Sequence, residues 1–176
     1  LNAAAAFILC LNLGANINLI KNSLKEFSGV QRRMTKIFSR NKNDFYDDYA
    51  HHPTEIKSIL EGVCNVNPKR RILSIFEPHR YSRVISLKDE FSKCFLKSHA
   101  VIICPLYAAG EKKDSKFNLN NFSKNIANNS NTQVIIVKNE KELNKYLKKN
   151  LFNDEIVIGM GAGSISKWMN GLKNSL

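Results

Sequence analysis

Downstream of the first forty residues, short apolar runs alternate with longer stretches in which apolar residues recur every three or four positions. The runs Asp44–Tyr49, Arg71–Phe76 (RILSIF), Ala100–Cys104 (AVIIC), Gln133–Lys138 (QVIIVK) and Glu155–Ile158 (EIVI) predict strands. Between them, Thr54–Cys64 predicts a helix with Ile56, Ile59, Leu60, Val63 and Cys64 on one face, and Pro53 with Thr54 suits its first turn. Leu87–Phe95 predicts a second, with Leu87, Phe91, Cys94 and Phe95 inward, and Leu119–Ile126 a weaker third. Glu140–Leu147 turns Leu143, Tyr146 and Leu147 inward, and a last helix from near Ser164 carries Ile165, Trp168, Met169 and Leu172. Strands that are apolar throughout have no face left for water, so helices must cover both sides of a parallel sheet. The expected fold class is α/β, a doubly wound, mainly parallel sheet. Ala127–Thr132 (ANNSNT) reads as a polar loop, and Leu106–Asn118 as a long polar loop of the kind that carries function.

The front of the chain is different. Leu1–Leu13 (LNAAAAFILCLNL) predicts a helix stopped by Gly14, and Ile17–Glu26 a second with Leu19, Ile20 and Leu24 on one face. Phe27–Met34 (FSGVQRRM) contains a turn at Ser28–Gly29 and the basic pair Arg32–Arg33. The first residue is Leu, and no capping residue precedes the first helix, so the chain is expected to begin inside a helix of a longer protein. Residues 1–33 are assigned to the end of a preceding domain and residues 34–176 to the α/β domain.

A chain of 176 residues that is 43% hydrophobic has enough apolar material for one core plus a short extra element, which excludes wholesale disorder. The formal net charge is +12, but the Lys residues are scattered, no basic arm appears, and no stacking pattern or nucleic-acid motif accompanies them. The charge therefore reads as compositional drift together with an anionic small-molecule substrate, with no nucleic-acid partner expected. Cys10, Cys64, Cys94 and Cys104 are far apart and form no CxxC pair, and three of them fall on apolar faces of predicted helices or in a strand run, so they read as free thiols, mostly buried, in a reducing compartment. No signal peptide and no membrane-length apolar run is present in the sequence, and a cytoplasmic protein without a membrane partner is expected.

Four segments carry candidate chemistry, each following a predicted strand, where open parallel sheets place their ligands. Asp47–Ile56 (DDYAHHPTEI) packs Asp47, Asp48, Tyr49, His51 and His52 together. A polar helix cap is one account of it; a metal site is a poor one, because adjacent residues point in different directions. Phe76–Arg83 (FEPHRYSR) offers His79, Arg80 and Arg83, and Arg suits bidentate capture of a carboxylate or phosphate; the alternative is a solvated loop. Pro105–Glu111 (PLYAAGE) is the third segment. The fourth, Gly159–Ser166 (GMGAGSIS), is a glycine-rich turn into a helix, open to phosphate contact or to close strand–helix packing.

Taken together, FSGVQRRM, DDYAHHPTEI, FEPHRYSR, LYAAGE and GAGSIS resemble the Mur ligase family, in the family's order and across nearly the whole chain. LNAAAA resembles the end of the family's adenine-side segment, whose His-Asn pair is absent here. The resemblance implies three domains: one for a UDP-sugar, a central P-loop ATPase, and a Rossmann-like last domain that closes over the nucleotide and supplies the amino-acid site. This chain resembles the end of the central domain and all of the last. It contains no GxxxxGK[ST] segment and lacks the central-domain Glu and His that hold magnesium in the family, so no metal ligand is expected here and the isolated chain should be inactive. The implied partners are the missing N-terminal and central domains, with ATP and Mg2+ as cofactors and UDP-N-acetylmuramate and L-alanine as substrates. ATP would phosphorylate the sugar-nucleotide carboxylate, and the alanine amine would displace phosphate from the acyl phosphate, a step in peptidoglycan precursor synthesis.

By the same resemblance, Arg33 would reach the ATP phosphates, Asp48 would hold the nucleotide through its ribose, and Asn2 would contact adenine. Tyr49, His51, His79, Arg80 and Arg83 would form the alanine and acyl-phosphate end, with Arg83 the first choice and Arg80 the second for the alanine carboxylate. Arg33, Asp48, His51 and His79 are the residues expected to carry the chemistry. Ala50 departs from the family, where Gly is common, a mild change unless the position needs a positive φ. HRYSR favours an alanine-adding member. The alternatives are a murein-peptide recycling ligase, which shares an AHHPT-like segment, and a stand-alone nucleotide-binding module.

Overall fold

The structure, a computed structural model, describes residues 2–27 and 29–176. Leu1 of the expected first helix and Ser28 of the expected turn lie outside the described residues. The chain forms two compact units, Leu1–Gln31 and Arg32–Leu176. In the first, α1 (Asn2–Asn12) ends at Gly14, whose φ of 81° only glycine adopts freely, and α2 (Ile17–Glu26) starts at Asn16. The Asn16 side chain accepts hydrogen bonds from the Asn18 and Leu19 amides, satisfying two orphan donors of the first turn. Ile8, Leu9, Leu13 and Leu19 remain largely exposed.

The second unit is a six-stranded sheet of order β1-β2-β6-β3-β4-β5. Its strands are β1 (Thr35–Arg40), β2 (Asn43–Asp48), β3 (Arg71–Phe76), β4 (Ala100–Ile103), β5 (Gln133–Ile136) and β6 (Glu155–Met160). Every neighbouring pair is parallel except β1 with β2. The helices are α3 (Pro53–Val66), α4 (Tyr81–Ser86), α5 (Lys88–Lys93), α6 (Leu119–Ser130), α7 (Glu140–Asn150) and α8 (Ile165–Ser175). The period-2 geometry of the strands divides the core cleanly. Ile72, Phe76, Val101, Ile103, Ile156 and Ile158 meet Ile56, Leu60, Phe91 and Ile126 on one face. Leu73, Ile75, Ala100, Ile102 and Val157 meet Leu143, Leu147, Ile165, Met169 and Leu172 on the other. The sheet is thus covered on both sides, as its apolar strands require.

Three local expectations are corrected. Strand β1 (TKIFSR) was absent from the expected elements; it is a half-exposed edge strand joined to β2 by Asn41–Lys42, both at positive φ (50° and 65°), as a tight two-residue hairpin demands. The helix expected over Leu87–Phe95 is the shorter α5, Lys88–Lys93, and an unexpected helix, α4, precedes it over Tyr81–Ser86; the backbone leaves the helical region between them at Leu87 (φ −111°, ψ 26°). The polar loop expected at Ala127–Thr132 is helical as far as Ser130, because the buried Ser130 hydroxyl donates to the Ser92 carbonyl (2.7 Å) and accepts from the Phe95 amide (3.2 Å).

Candidate active site

Register fixes the site. Asp48 pairs with Met160, Met160 with Phe76, and Phe76 with Ile103, so β2, β6, β3 and β4 finish in one row. The four candidate segments leave from that row and share one rim.

At the end of β2, adjacent aspartates face opposite sides of the sheet. Asp48 accepts the Met34 amide through Oδ2 and the Ala50 amide through Oδ1, both at 2.7 Å. Burial raises its pKa, opposed by those two amides and by the Arg33 charge. Asp47 turns the other way and accepts from the Ser166 hydroxyl. Beyond it, Tyr49 is exposed and Ala50 is buried. His52 is a cap: its Nδ1 accepts from the Thr54 amide at 3.3 Å, and the Glu55 carboxylate accepts from the His51 and His52 amides, with Pro53 opening α3. His51 Nδ1 lies 2.9 Å from the Tyr49 carbonyl, an acceptor only, so this nitrogen carries the proton.

At the end of β3, Arg83 Nη1 donates to His79 Nδ1 (3.0 Å) and to the His79 carbonyl (3.2 Å). The His79 ring stacks on Tyr107, with centroids 5.5 Å apart, and leans on His51 at 5.7 Å. Arg80 holds a left-handed backbone (φ 69°), and its amide donates to the Tyr107 carbonyl at 2.9 Å. Its guanidinium comes within 3.8 Å of Glu111, which also accepts from the Ser82 amide and hydroxyl. These hydrogen bonds from Ser82 lower the Glu111 pKa.

The glycine-rich turn serves close packing. The Glu77 carboxylate, 3% exposed, accepts from the Ser164 hydroxyl and from the Ile165 amide (3.2 Å), so a protein carboxylate already meets the positive end of α8. A Cβ on Gly163 would come within 2.5 Å of that carboxylate and of the Tyr107 ring, and a Cβ on Gly159 within 2.3 Å of Met169 Cγ.

Two clefts open on the rim. One, of about 450 Å³, is lined by Arg33, Met34, Asp48, Tyr49 and the start of α3. The other, of about 670 Å³, is lined by Tyr49, His51, His79, Arg80 and Arg83, with Ala162 from the glycine-rich turn. Arg33 and Asp48 therefore meet in the first cleft, and the five residues expected at the amino-acid end meet in the second. Asn2, exposed, opens α1 in the helical unit. Sequence reasoning passed over Glu77, Glu111 and Arg32. The first two sit inside the quoted segments, but their partners are distant in sequence. Arg32 is inconspicuous in the sequence beside Arg33, because its partner Gly161 lies 129 residues away. Among the described residues, no group of three His, Cys, Asp or Glu is arranged to hold a metal ion. Among them, too, no helix is long and apolar enough to cross a membrane.

Residues 32–163 match the family model described as Mur ligase, glutamate ligase domain, and the chain belongs to the Mur ligase family. It is 48% identical over 171 residues to the UDP-N-acetylmuramate–L-alanine ligase of Pelagibacter ubique, which covers 97% of this chain and 37% of that protein. Among solved structures, it resembles the UDP-N-acetylmuramate-alanine ligase of Thermotoga maritima, with a TM-score of 0.77 at 24% identity over 98% of this chain and 36% of that one. A murein peptide ligase from Psychrobacter arcticus gives 0.73 at 20% identity, covering 99% and 36%. At these identities the two structures speak for the fold. The chain spans little more than a third of the length of the relatives it matches.

Proposed function

We propose that this chain supplies the amino-acid site and one wall of the nucleotide site of a longer ATP-dependent ligase that adds L-alanine to UDP-N-acetylmuramate in peptidoglycan precursor synthesis. The observation that carries the proposal is the pair of clefts sharing Tyr49, with Arg33 and Asp48 on one side and His51, His79, Arg80 and Arg83 on the other. Residues 1–33 then belong to the ATP-binding central domain and 34–176 to the closing domain. The same proposal places the protein in the cytoplasm, which four free cysteines suit.

The chemistry asks little covalent work of this chain. ATP transfers its γ-phosphoryl group to the carboxylate of UDP-N-acetylmuramate, giving ADP and an acyl phosphate. The neutral amine of L-alanine attacks the acyl carbon, the C–O bond to phosphate breaks, and the amide forms with loss of a proton. Both steps depend on placement and on neutralising negative charge. Arg33 reaches toward the ATP phosphates. Asp48, fixed by two amides, takes a ribose hydroxyl on its remaining lone pairs, and Asn2 meets adenine. Arg83 captures the alanine carboxylate with Arg80 beside it, and His79, Tyr49 and His51 wall the amine toward the acyl phosphate. Magnesium assists phosphoryl transfer in the family; the described residues offer no ligand set that fits it, and its ligands are assigned to the rest of the longer protein.

The test is a chimera in which this chain replaces the matching segment of the Pelagibacter ubique ligase. Mass spectrometry should detect UDP-N-acetylmuramoyl-alanine with L-alanine and ATP present, and no product from the isolated chain. A chimera that folds but joins only a tripeptide to the sugar nucleotide would replace this proposal with a recycling ligase.

A further inference from the structure

We infer that Arg32 is a positioning residue that fixes Tyr49 as the partition between the two clefts; its kinetic consequence rests on the ligase proposal above. Tyr49 is 43% exposed, so burial does not hold its ring. Arg32 holds it twice. The Arg32 carbonyl accepts the Tyr49 amide at 2.7 Å, and the guanidinium carbon lies 4.8 Å from the centre of the Tyr49 ring. Nη2 of the same guanidinium donates to the Gly161 carbonyl at 2.6 Å, anchoring it to the end of β6. Tyr49 is therefore tied, through one side chain, to the glycine-rich turn that lines the second cleft.

An ion pair with Asp47 does not explain this placement. Arg32 Nε and Asp47 Oδ2 are 3.6 Å apart, and both Arg32 Nε and Asp47 Oδ1 are buried without a hydrogen-bond partner. Such orphaned atoms are costly. A guanidinium free to optimise its pairing with Asp47 would close that gap; the contacts to Gly161 and to the Tyr49 ring hold it away. The backbone agrees, since Arg32 sits at φ 58°, a region that bulky residues adopt only when their surroundings impose it. Lysine can substitute only in part: its ammonium can lie over the ring, but a point charge lacks the planar stack and the fork that reaches Gly161 and the ring together.

Two measurements test the inference. In the chimera, Arg32→Ala should raise KM for L-alanine by about fivefold, the value of one cation–π contact. Arg32→Lys should fall between, and KM for UDP-N-acetylmuramate should stay unchanged. In a Tyr49→Ala background the Arg32 change should have no further effect on the alanine KM. A loss of kcat with every KM unchanged would mean that Arg32 only supports the fold, and would overturn the inference. In this chain alone, labelled with 3-fluorotyrosine, the 19F resonance of Tyr49, assigned with Tyr49→Phe, should move in Arg32→Ala and part of the way in Arg32→Lys. The Tyr146 signal should stay in place. A Tyr49 signal that does not move overturns the inference even if the chimera is active. An inactive wild-type chimera with a moved Tyr49 signal overturns the ligase proposal and leaves the positioning role supported.

Discussion

Arg83 donates to the imidazole Nδ1 of His79 at 3.0 Å, and a guanidinium can only donate, so His79 in this pairing is neutral with its proton on Nε2. Burial is the largest influence lowering the His79 pKa, followed by the charge of Arg83 and the nearby His51 and Arg80. A depressed histidine pKa contributes stability that is fully present above the unfolded value of about 6.5 and is lost as pH falls through the folded value. An NMR titration should therefore place His79 below about 6.5, and Arg83→Ala should move it back upward. A His79 titrating above that value in the unaltered chain would contradict the pairing.

Far from the rim, Asp44 gathers the Lys36 ammonium and Arg70 Nη1, both at 2.6 Å, together with the Ser39 hydroxyl. Burial opposes ionisation, but these three partners outweigh it and hold the carboxyl well below the ordinary range. Asp44→Ala should cost about 2–3 kcal/mol at neutral pH, since two charge-assisted contacts are lost and Arg70 is left half-buried. The stabilisation is present above the unfolded pKa of about 3.9 and is lost as pH falls through the folded value, so wild type and variant should converge in acid. Urea melts at several pH values measure it, and a pH-independent gap would exclude the ion cluster as the cause.

Gly159 is required by close approach. The Cβ of Gly159→Ala would clash with the fully buried Met169, an overpacking worth about 1–3 kcal/mol. Met169→Ala should cost less in a Gly159→Ala background than in the unaltered chain, because it removes the Met169 atoms that the new Cβ would meet. Strict additivity in denaturant melts would show that α8 is not seated on β6 at this point.

Glu77→Ala should destabilise by about 2 kcal/mol, because the Ser164 hydroxyl and the buried Ile165 amide lose their acceptor at the start of α8. Glu77→Gln, which keeps an acceptor oxygen, should cost less. Equal losses in thermal melts would locate the effect in charge instead of in the hydrogen bonds.

The strands β3, β4 and β6 are legible in the sequence because both of their faces are apolar, so six or fewer residues carry the whole signal. Strand β1 is not, since Lys36, Ser39 and Arg40 lie at a solvated edge; the Asn41–Lys42 pair between two alternating segments is the signal that could have revealed it. The helical Ala127–Ser130 escapes for a related reason: it is held by a contact across the fold, Ser130 with Ser92, and not by neighbours in sequence. Within the site, Asp48, His79 and Arg83 stand out because titratable residues cluster directly after strands. Glu77 and Arg32 do not, because their partners Ser164 and Gly161 are 87 and 129 residues away. The glycine-rich turn was open to two readings, and only the position of Glu77 decides for packing.

The second cleft is the proposed amino-acid site, with Arg83 on the alanine carboxylate. Steady-state kinetics of the chimera, with each substrate varied in turn, test it most directly. Arg83→Ala should raise KM for L-alanine by roughly tenfold or more, the expected result of removing one charge-assisted contact, and leave KM for ATP within about threefold. Asp48→Ala should weaken ATP more than alanine. An Arg83→Ala enzyme that loses ATP and alanine equally would contradict the assignment and make Arg83 a residue of domain closure.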